Sequence, residues 1–451
     1  MHFPEEVQTI LTRLQAASFE AYAVGGAVRD LLLGKTPTDY DVATSARPDQ
    51  VKKIFSDANV ADTGIRYGTV TVTLKSLPVE ITSFRVDGTY RDGRRPDKVH
   101  FSTRIEEDLA RRDFTINAIA YDPHTGFIDP YGGRRDLEGK CIRCVGDPKE
   151  RLTEDALRIL RAIRFRSQLG FRVEEGTERS LHTYAWTLSH ISAERKRDEL
   201  SRLILGSQVA DTLLAYADIM AAVIPSLAPC IGFSQQNPHH AYSVYEHMAR
   251  ATGEAKQNLK IRLAAMLHDI GKPECFTVDD NGIGHFYGHA EKSAEKAETI
   301  LANLAYDRKT RIYVSRLIGW HSLEPQATTQ SLRRFLHRMG REGFFDFLAL
   351  KRADNKAQAP AYLYRQETFD CYEAIALQIL AQEDCFSLRD LAVNGSDLIT
   401  LGFLPGPALG AALGTLLQKV MDAALPNEKK ALLTEAAHLL KEGEDSASGD
   451  R

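Results

Sequence analysis

Tryptophan, cysteine and methionine are scarce: two, six and six in 451 residues. Six thiols without dense spacing cannot form a disulfide framework, so an apolar core must hold the fold, and reduced thiols suit an intracellular compartment. The one close pair, Cys141-Ile142-Arg143-Cys144, has no second pair and no neighbouring histidine, and reads as incidental thiols in a strand-like run. No stretch approaches the roughly 20 uninterrupted apolar residues of a membrane span. Met1 to Glu20 has no basic start followed by an apolar block, so a cytoplasmic chain is expected. Net positive charge is missing as well, since 57 Lys and Arg face 61 Asp and Glu for a formal charge of −4. That would disfavour a nucleic-acid partner only if the charge were spread evenly. From Arg85 to Arg172 there are 19 basic and 15 acidic residues, whereas Arg365 to Arg451 has 7 and 14. The average hides two opposite surfaces.

With 43% hydrophobic and 26% charged residues the composition is that of a globular protein, and the length predicts about three domains. Short β-rich runs (Ala21 to Val24, Thr69 to Leu74, Val79 to Phe84, Lys98 to Phe101) mix with helical patterns up to about residue 145. Beyond residue 150 the β signal fades. Thr153 to Leu169, Ala193 to Leu205, Leu259 to Leu267 and Ala290 to Leu304 show helical spacing, with Thr153 and Ser192 as candidate caps. The turn-rich Ala228 to His240 and the region near Ala357 to Ala361 read as seams. Residues 444–451 read as disordered.

Gly25-Gly26-Ala27-Val28-Arg29-Asp30 follows an apolar strand and opens a helix, and Thr38-Asp39-Tyr40-Asp41-Val42-Ala43 reads as the next strand. Glycines at such a turn let backbone N–H groups approach a phosphate beside a helix N-terminus. Alternation along a strand puts Asp39 and Asp41 on one face, roughly 6.5 to 7 Å apart, which suits carboxylates that hold Mg²⁺. Metals so placed stabilise the attacking 3′-hydroxyl and the leaving pyrophosphate of phosphoryl transfer. Glu80, on a later strand, is the candidate third carboxylate.

These residues resemble the nucleotidyltransferases of the polymerase-beta superfamily, and specifically the class II tRNA nucleotidyltransferases, the CCA-adding enzymes. The resemblance continues through Glu107-Asp108-Leu109-Ala110-Arg111-Arg112-Asp113-Phe114-Thr115-Ile116-Asn117-Ala118 and through Asp129-Pro130-Tyr131-Gly132-Gly133 with Asp136-Leu137. It implies template-independent addition of C, C and A to tRNA 3′ ends from CTP and ATP. In Glu154-Asp155-Ala156-Leu157-Arg158 it implies the protein template for the base: Asp155 and Arg158 match the amino donor and ring-nitrogen acceptor shared by cytosine and adenine, with Glu154 in support. Guanine and uracil place a carbonyl where that amino group would be, leaving a buried polar group unpaired. The periodicity predicts one helix carrying Asp155, Arg158 and Arg161 at i, i+3 and i+6. Arg161, Arg164, Gly26 and Arg29 are carried over as nucleotide contacts, and Arg112 as a contact of the triphosphate. The polar loop Asp87 to Pro96 corresponds to a flexible loop needed for adding the terminal A. Its presence argues against a CC-only enzyme and leaves full CCA addition and A addition both open.

Downstream, His247, His268-Asp269, His289, His321 and Asp354 resemble the HD-domain metal phosphohydrolases. His247, His268, Asp269 and Asp354 are then ligands of a divalent transition metal, and His289 and His321 complete a second metal or bind phosphate. Asn394 to Ile399 followed by Gly402-Phe403-Leu404-Pro405-Gly406-Pro407 resembles the tail of bacterial CCA-adding enzymes and is expected to pack around the tRNA body.

The expected fold class is α+β: a small mixed α/β nucleotidyltransferase head (1–145), then an all-helical neck (146–230), an HD-type body (231–360) and a tail (361–443). The expected partners are tRNA, ATP and CTP, with no membrane. Bacterial poly(A) polymerases share the Gly-Gly, the paired aspartates and the RRD features, and so remain an alternative. An HD phosphohydrolase with a vestigial head and a noncatalytic RNA-binding protein are alternatives of other classes.

Overall fold

The computed structural model describes residues 1–88, 99–237, 241–381, 387–422 and 424–448. Most of the loop Asp87 to Pro96 lies outside the described residues. The chain divides into two compact units, one of residues 1–229 with 300–306 and one of residues 230–299 with 307–451.

In the first unit, β1 (Ala21–Val24), β2 (Tyr40–Thr44), β3 (Asn59–Gly64), β4 (Thr69–Leu74) and β5 (Leu77–Ser83) join the strands Ala120–Asp122 and Gly126–Ile128 in one mixed sheet. Its order is β3-β4-β5-β2-β1, then those two strands. β2 runs parallel to β5 and antiparallel to β1. The parallel pairing requires a crossover, and the helix Pro48–Ile54 with the β3–β4 hairpin supplies it. Alternating Val and Ile residues bury the inner face, with Val42, Val70, Val72 and Val79 fully enclosed.

Helices follow, as the faded β signal predicts: Pro148–Glu154, Leu157–Leu169, Glu175–Tyr184 and Ala193–Ile204 among them. One expectation fails here. Thr153 caps nothing, because its hydroxyl donates back to the carbonyls of Lys149 and Glu150, and Asp147 accepts the Lys149 N–H at the true start. The helical run also breaks at Asp155, which is extended, with φ −142° and ψ 101°. Its carboxylate accepts the Leu157 N–H at 3.1 Å and so begins a new helix. A short Asp side chain that bonds the backbone two residues on competes with helix continuation. Asp155 therefore precedes the helix that carries Arg158 and Arg161.

The second unit is nearly all helical. Asn258 caps the helix Leu259–Leu267 by accepting the N–H groups of Lys260 and Ile261, and the long run Thr329–Lys356 is interrupted at Gly340, whose φ is 71°. The seam expected near 357–361 lies inside this unit. Towards the end of the chain, Leu398, Leu416, Leu417, Leu432 and Ala436 form a separate small core. Its last helix, Lys429–Ser448, extends over residues 444–448, against the expectation of disorder there. Among the described residues, no helix is long and apolar enough to cross a membrane.

Candidate active site

The turn after β1 is tight because Gly25 adopts φ +73°, a left-handed conformation open to glycine and strained for side-chain-bearing residues. A Cβ there would lie 3.0 Å from Arg112 Nη1 and 3.4 Å from Asp41 Oδ2. Backbone, acid and guanidinium therefore converge at one point. Asp41 sits in β2 in direct register with Glu80 of β5, so parallel pairing brings together two acids that lie on separate strands. Asp39 occupies the bend just before β2. Burial pushes the Asp41 carboxyl up, Arg112 opposes the rise, and Glu80 and Asp39 add to it, for a value of about 6. Three carboxylates gathered at one place fit a hard divalent cation.

All three carboxylates line a cavity of about 630 Å³ whose wall also contains eight arginines: Arg29, Arg111, Arg112, Arg158, Arg161, Arg164, Arg195 and Arg202. Gly26 and Asp155 are part of the same wall. Glu154 is not among the lining residues; it accepts from Arg158 Nη1 at 2.6 Å and from Arg151 Nη2 at 2.5 Å, and so braces Arg158 from behind. Arg158 is held further by the carbonyls of Arg151 and Arg111. The fully buried Asp108 anchors Arg111 and Arg112 at 2.7 and 3.2 Å. Burial pushes its carboxyl up, but the two guanidinium groups outweigh this and hold it below the usual range. Arg112 Nε is buried with no hydrogen-bond partner, one N–H group left over for a ligand.

A second chain of contacts ties neck to head. Glu199 pairs with Arg164 Nε at 2.6 Å and Arg161 Nη1 at 3.5 Å, and Arg161 grips Asp113 through Nε and Nη2 at 2.7 and 2.6 Å. Asp113 Oδ1 accepts from Asn117, whose own oxygen accepts from Arg29 Nη1 at 2.8 Å. Burial raises the Asp113 carboxyl, yet Arg161 and Asn117 together hold it well below the ordinary range. Glu199, Arg195 and Arg202 have no local motif signal, because they come from a helix some 40 residues downstream that only packing brings here.

Comparison with known proteins decides the family. Limosilactobacillus fermentum CCA-adding enzyme is 34% identical over 437 residues, 97% of this chain and 97% of that protein. This chain belongs to the CCA-adding enzymes. The enzyme of Lacticaseibacillus paracasei is likewise 34% identical, over 95% of each chain. The crystal structure of Bacillus stearothermophilus CCA-adding enzyme in complex with CTP aligns with a TM-score of 0.72 at 29% identity, covering 100% of both chains. Family models match as the Poly A polymerase head domain over residues 21–143 and the "Probable RNA and SrmB- binding site of polymerase A" over 170–231. A tRNA nucleotidyltransferase domain 2 matches over 280–436. The mixed α/β head followed by helices is thus the fold of this family.

The second unit holds a separate cluster. His247, His268, Asp269, His289, His321 and Asp354, scattered over more than 100 residues, meet at one place. Ligand atoms of His247, His268 and Asp354, and those of His268, Asp269 and His321, lie within 4.8 Å of one another. In each imidazole Nδ1 faces a backbone carbonyl, of Ala357, Ala265, Phe286 and Ile318 respectively for His247, His268, His289 and His321. That contact fixes Nδ1 as the donor and, in a neutral ring, leaves Nε2 with its lone pair. Yet His247 and His268 bring their Nε2 atoms to 3.2 Å, and so do His289 and His321. Two lone pairs at that separation repel unless a metal ion lies beside them or one ring of the pair carries a proton on Nε2. Asp269 Oδ1 is buried without a hydrogen-bond partner, and burial of His268 is outweighed by Asp269 and Asp354, which raise it to about 10. The donor set of imidazole nitrogens and carboxylates fits a divalent transition metal.

Proposed function

We propose that this chain adds C, C and A to tRNA 3′ ends from CTP and ATP with release of pyrophosphate. The observation that carries this reading is the single cavity in which three carboxylates face an arginine-lined wall, within a chain that matches CCA-adding enzymes end to end. Asp39, Asp41 and Glu80 are assigned to Mg²⁺, which when bound supplies charge neutralisation at the attacking 3′-oxygen and the leaving pyrophosphate. Arg112, fixed by Asp108, and the N–H groups at the start of the helix Gly26–Leu32 receive the triphosphate. Arg29, Arg161 and Arg164 hold the nucleotide, and Asp155 and Arg158 read the base edge that cytosine and adenine share. Rejection of guanine and uracil follows from the unpaired polar groups they would leave. We place the protein in the cytoplasm with its tRNA substrate. Poly(A) synthesis is less favoured, because residues 280–436 match a tRNA nucleotidyltransferase domain.

The test supplies purified protein with tRNA ending at the discriminator base, and separately with tRNA ending in CC, each with labelled CTP and ATP. Growth of both to CCA is the expected result. A added to the CC end alone identifies an A-adding enzyme, and long A tails identify a poly(A) polymerase.

The convergent Nε2 atoms of the second unit favour a second activity, metal-dependent phosphoester hydrolysis at His247, His268, Asp269 and Asp354, with His289 and His321 at a second metal or a phosphate. A divalent metal held by these residues would supply Lewis acidity for activating water at the phosphoester. His268→Ala/Asp269→Ala should lose metal-dependent phosphoesterase activity and keep nucleotide addition. Phosphoesterase activity that survives the double substitution rules the site out.

A further inference from the structure

Asp155 is pinned at both oxygens. Oδ1 accepts the Leu157 N–H at 3.1 Å, and Oδ2 accepts Arg195 Nη2 at 2.7 Å. Arg195 stands in the first turn of the helix Ala193–Ile204, 40 residues further along the chain, and lines the same cavity. Both side chains are mostly enclosed, at 22% and 16% exposure for Arg195 and Asp155. The other terminal nitrogen of Arg195, Nη1, is buried and has no hydrogen-bond partner. An unmet buried N–H costs free energy, and a brace needing only one nitrogen would not retain it.

We propose that Arg195 is a specificity-determining positioning residue, which locks the Asp155 carboxylate so that a base without an amino group cannot be accommodated. This rests on the reading of Asp155 as the base acceptor and deepens it. A carboxylate is acceptor-only when ionised and has more than one lone pair per oxygen, so each pinned oxygen keeps one for a base. Against cytosine or adenine the spare lone pair meets an amino proton. Against uracil or guanine it meets a carbonyl oxygen. That repulsion discriminates only if the carboxylate cannot turn aside or admit a water molecule, and a two-point clamp from separate elements prevents both motions. The unpartnered Nη1 leaves the fork an NH2 group, with two N–H donors, to give to an acceptor on the bound nucleotide.

The test measures kcat/KM for CTP against UTP on tRNA ending at the discriminator base, and for ATP against GTP on tRNA ending in CC. Wild type, Arg195→Ala, Arg195→Lys and Asp155→Asn are compared. The CTP:UTP and ATP:GTP ratios should narrow by about ten-fold or more in Arg195→Ala, and Arg195→Lys, with one nitrogen still facing Oδ2, should recover part of both. A loss of equal size for all four nucleotides, which a merely structural role produces, overturns the proposal. Should alanine unfold the neck, Arg195→Lys and Arg195→Gln give the same readout, and unchanged ratios in both overturn it. If Asp155→Asn leaves the ratios unchanged, the base-reading assignment fails and this role with it. If Asp155→Asn narrows them and the Arg195 variants do not, only the role of Arg195 fails.

Discussion

Single side chains in the arginine-lined cavity are held by partners that the motifs do not contain. Gly25 shows how little room is left: any Cβ meets Arg112 and Asp41, and φ +73° penalises it again. Gly25→Ala should cost about 1 kcal/mol of stability and, on the proposed assignment of Arg112 to the triphosphate, raise KM for CTP and ATP alike; thermal unfolding and steady-state kinetics read the two effects. Asp113 bears on acid stability. Its carboxyl titrates far below the ordinary range when folded, so the stability it contributes is complete above its unfolded pKa, about 3.9, and is lost as pH falls below it. Asp113→Asn should destabilise the first unit by about 3 to 5 kcal/mol at neutral pH and flatten the decline in stability below about pH 4. Unfolding midpoints measured between neutrality and acid, compared with wild type, check both.

At the scale of elements, caps and breaks put side chains where the chemistry needs them. The break at Asp155 turns a continuous helical pattern into two helices and sets the acid at the mouth of the second. The helix Leu259–Leu267 ends on His268 and Asp269, so its start governs the register of the second cluster. Asn258→Ala removes a side chain that accepts two N–H groups, at 2.9 and 3.3 Å. It should lower the stability of the second unit by about 1 kcal/mol, and its effect on nucleotide addition should be small. Calorimetry, alongside the addition assay, separates the two. Sequence patterning located β1, β4 and Leu259–Leu267 to the residue, because strand alternation and helical spacing are local properties. It joined the helices across Asp155 because a side chain that bonds the backbone two residues on leaves the apolar spacing untouched.

For the whole molecule, a formal charge of −4 is compatible with an RNA-holding surface because the arginines are concentrated in the first unit. Affinity for tRNA should therefore fall steeply with salt, in proportion to the phosphates neutralised. A plot of log affinity against log salt should slope less when Arg202 is replaced by alanine, by about one unit if that side chain meets a phosphate. Chelation should stop nucleotide addition, Mg²⁺ should restore it, and His268→Ala/Asp269→Ala should respond in the same way, because the two clusters belong to separate units.

The sequence by itself determined the chemistry on offer. Glycines at a turn, two acids one residue apart where a strand begins and the EDxxR segment are each local in sequence, and their meaning lies in backbone conformation within a few residues. Only the tertiary structure decided which groups meet. Glu80 reaches Asp41 through parallel strand register, Arg195 reaches Asp155 from another helix, Glu199 spans Arg161 and Arg164, and four imidazoles turn Nε2 toward two carboxylates. Those pairings depend on how sheets and helices pack across tens of residues, and local periodicity carries no information about which distant charge lies opposite.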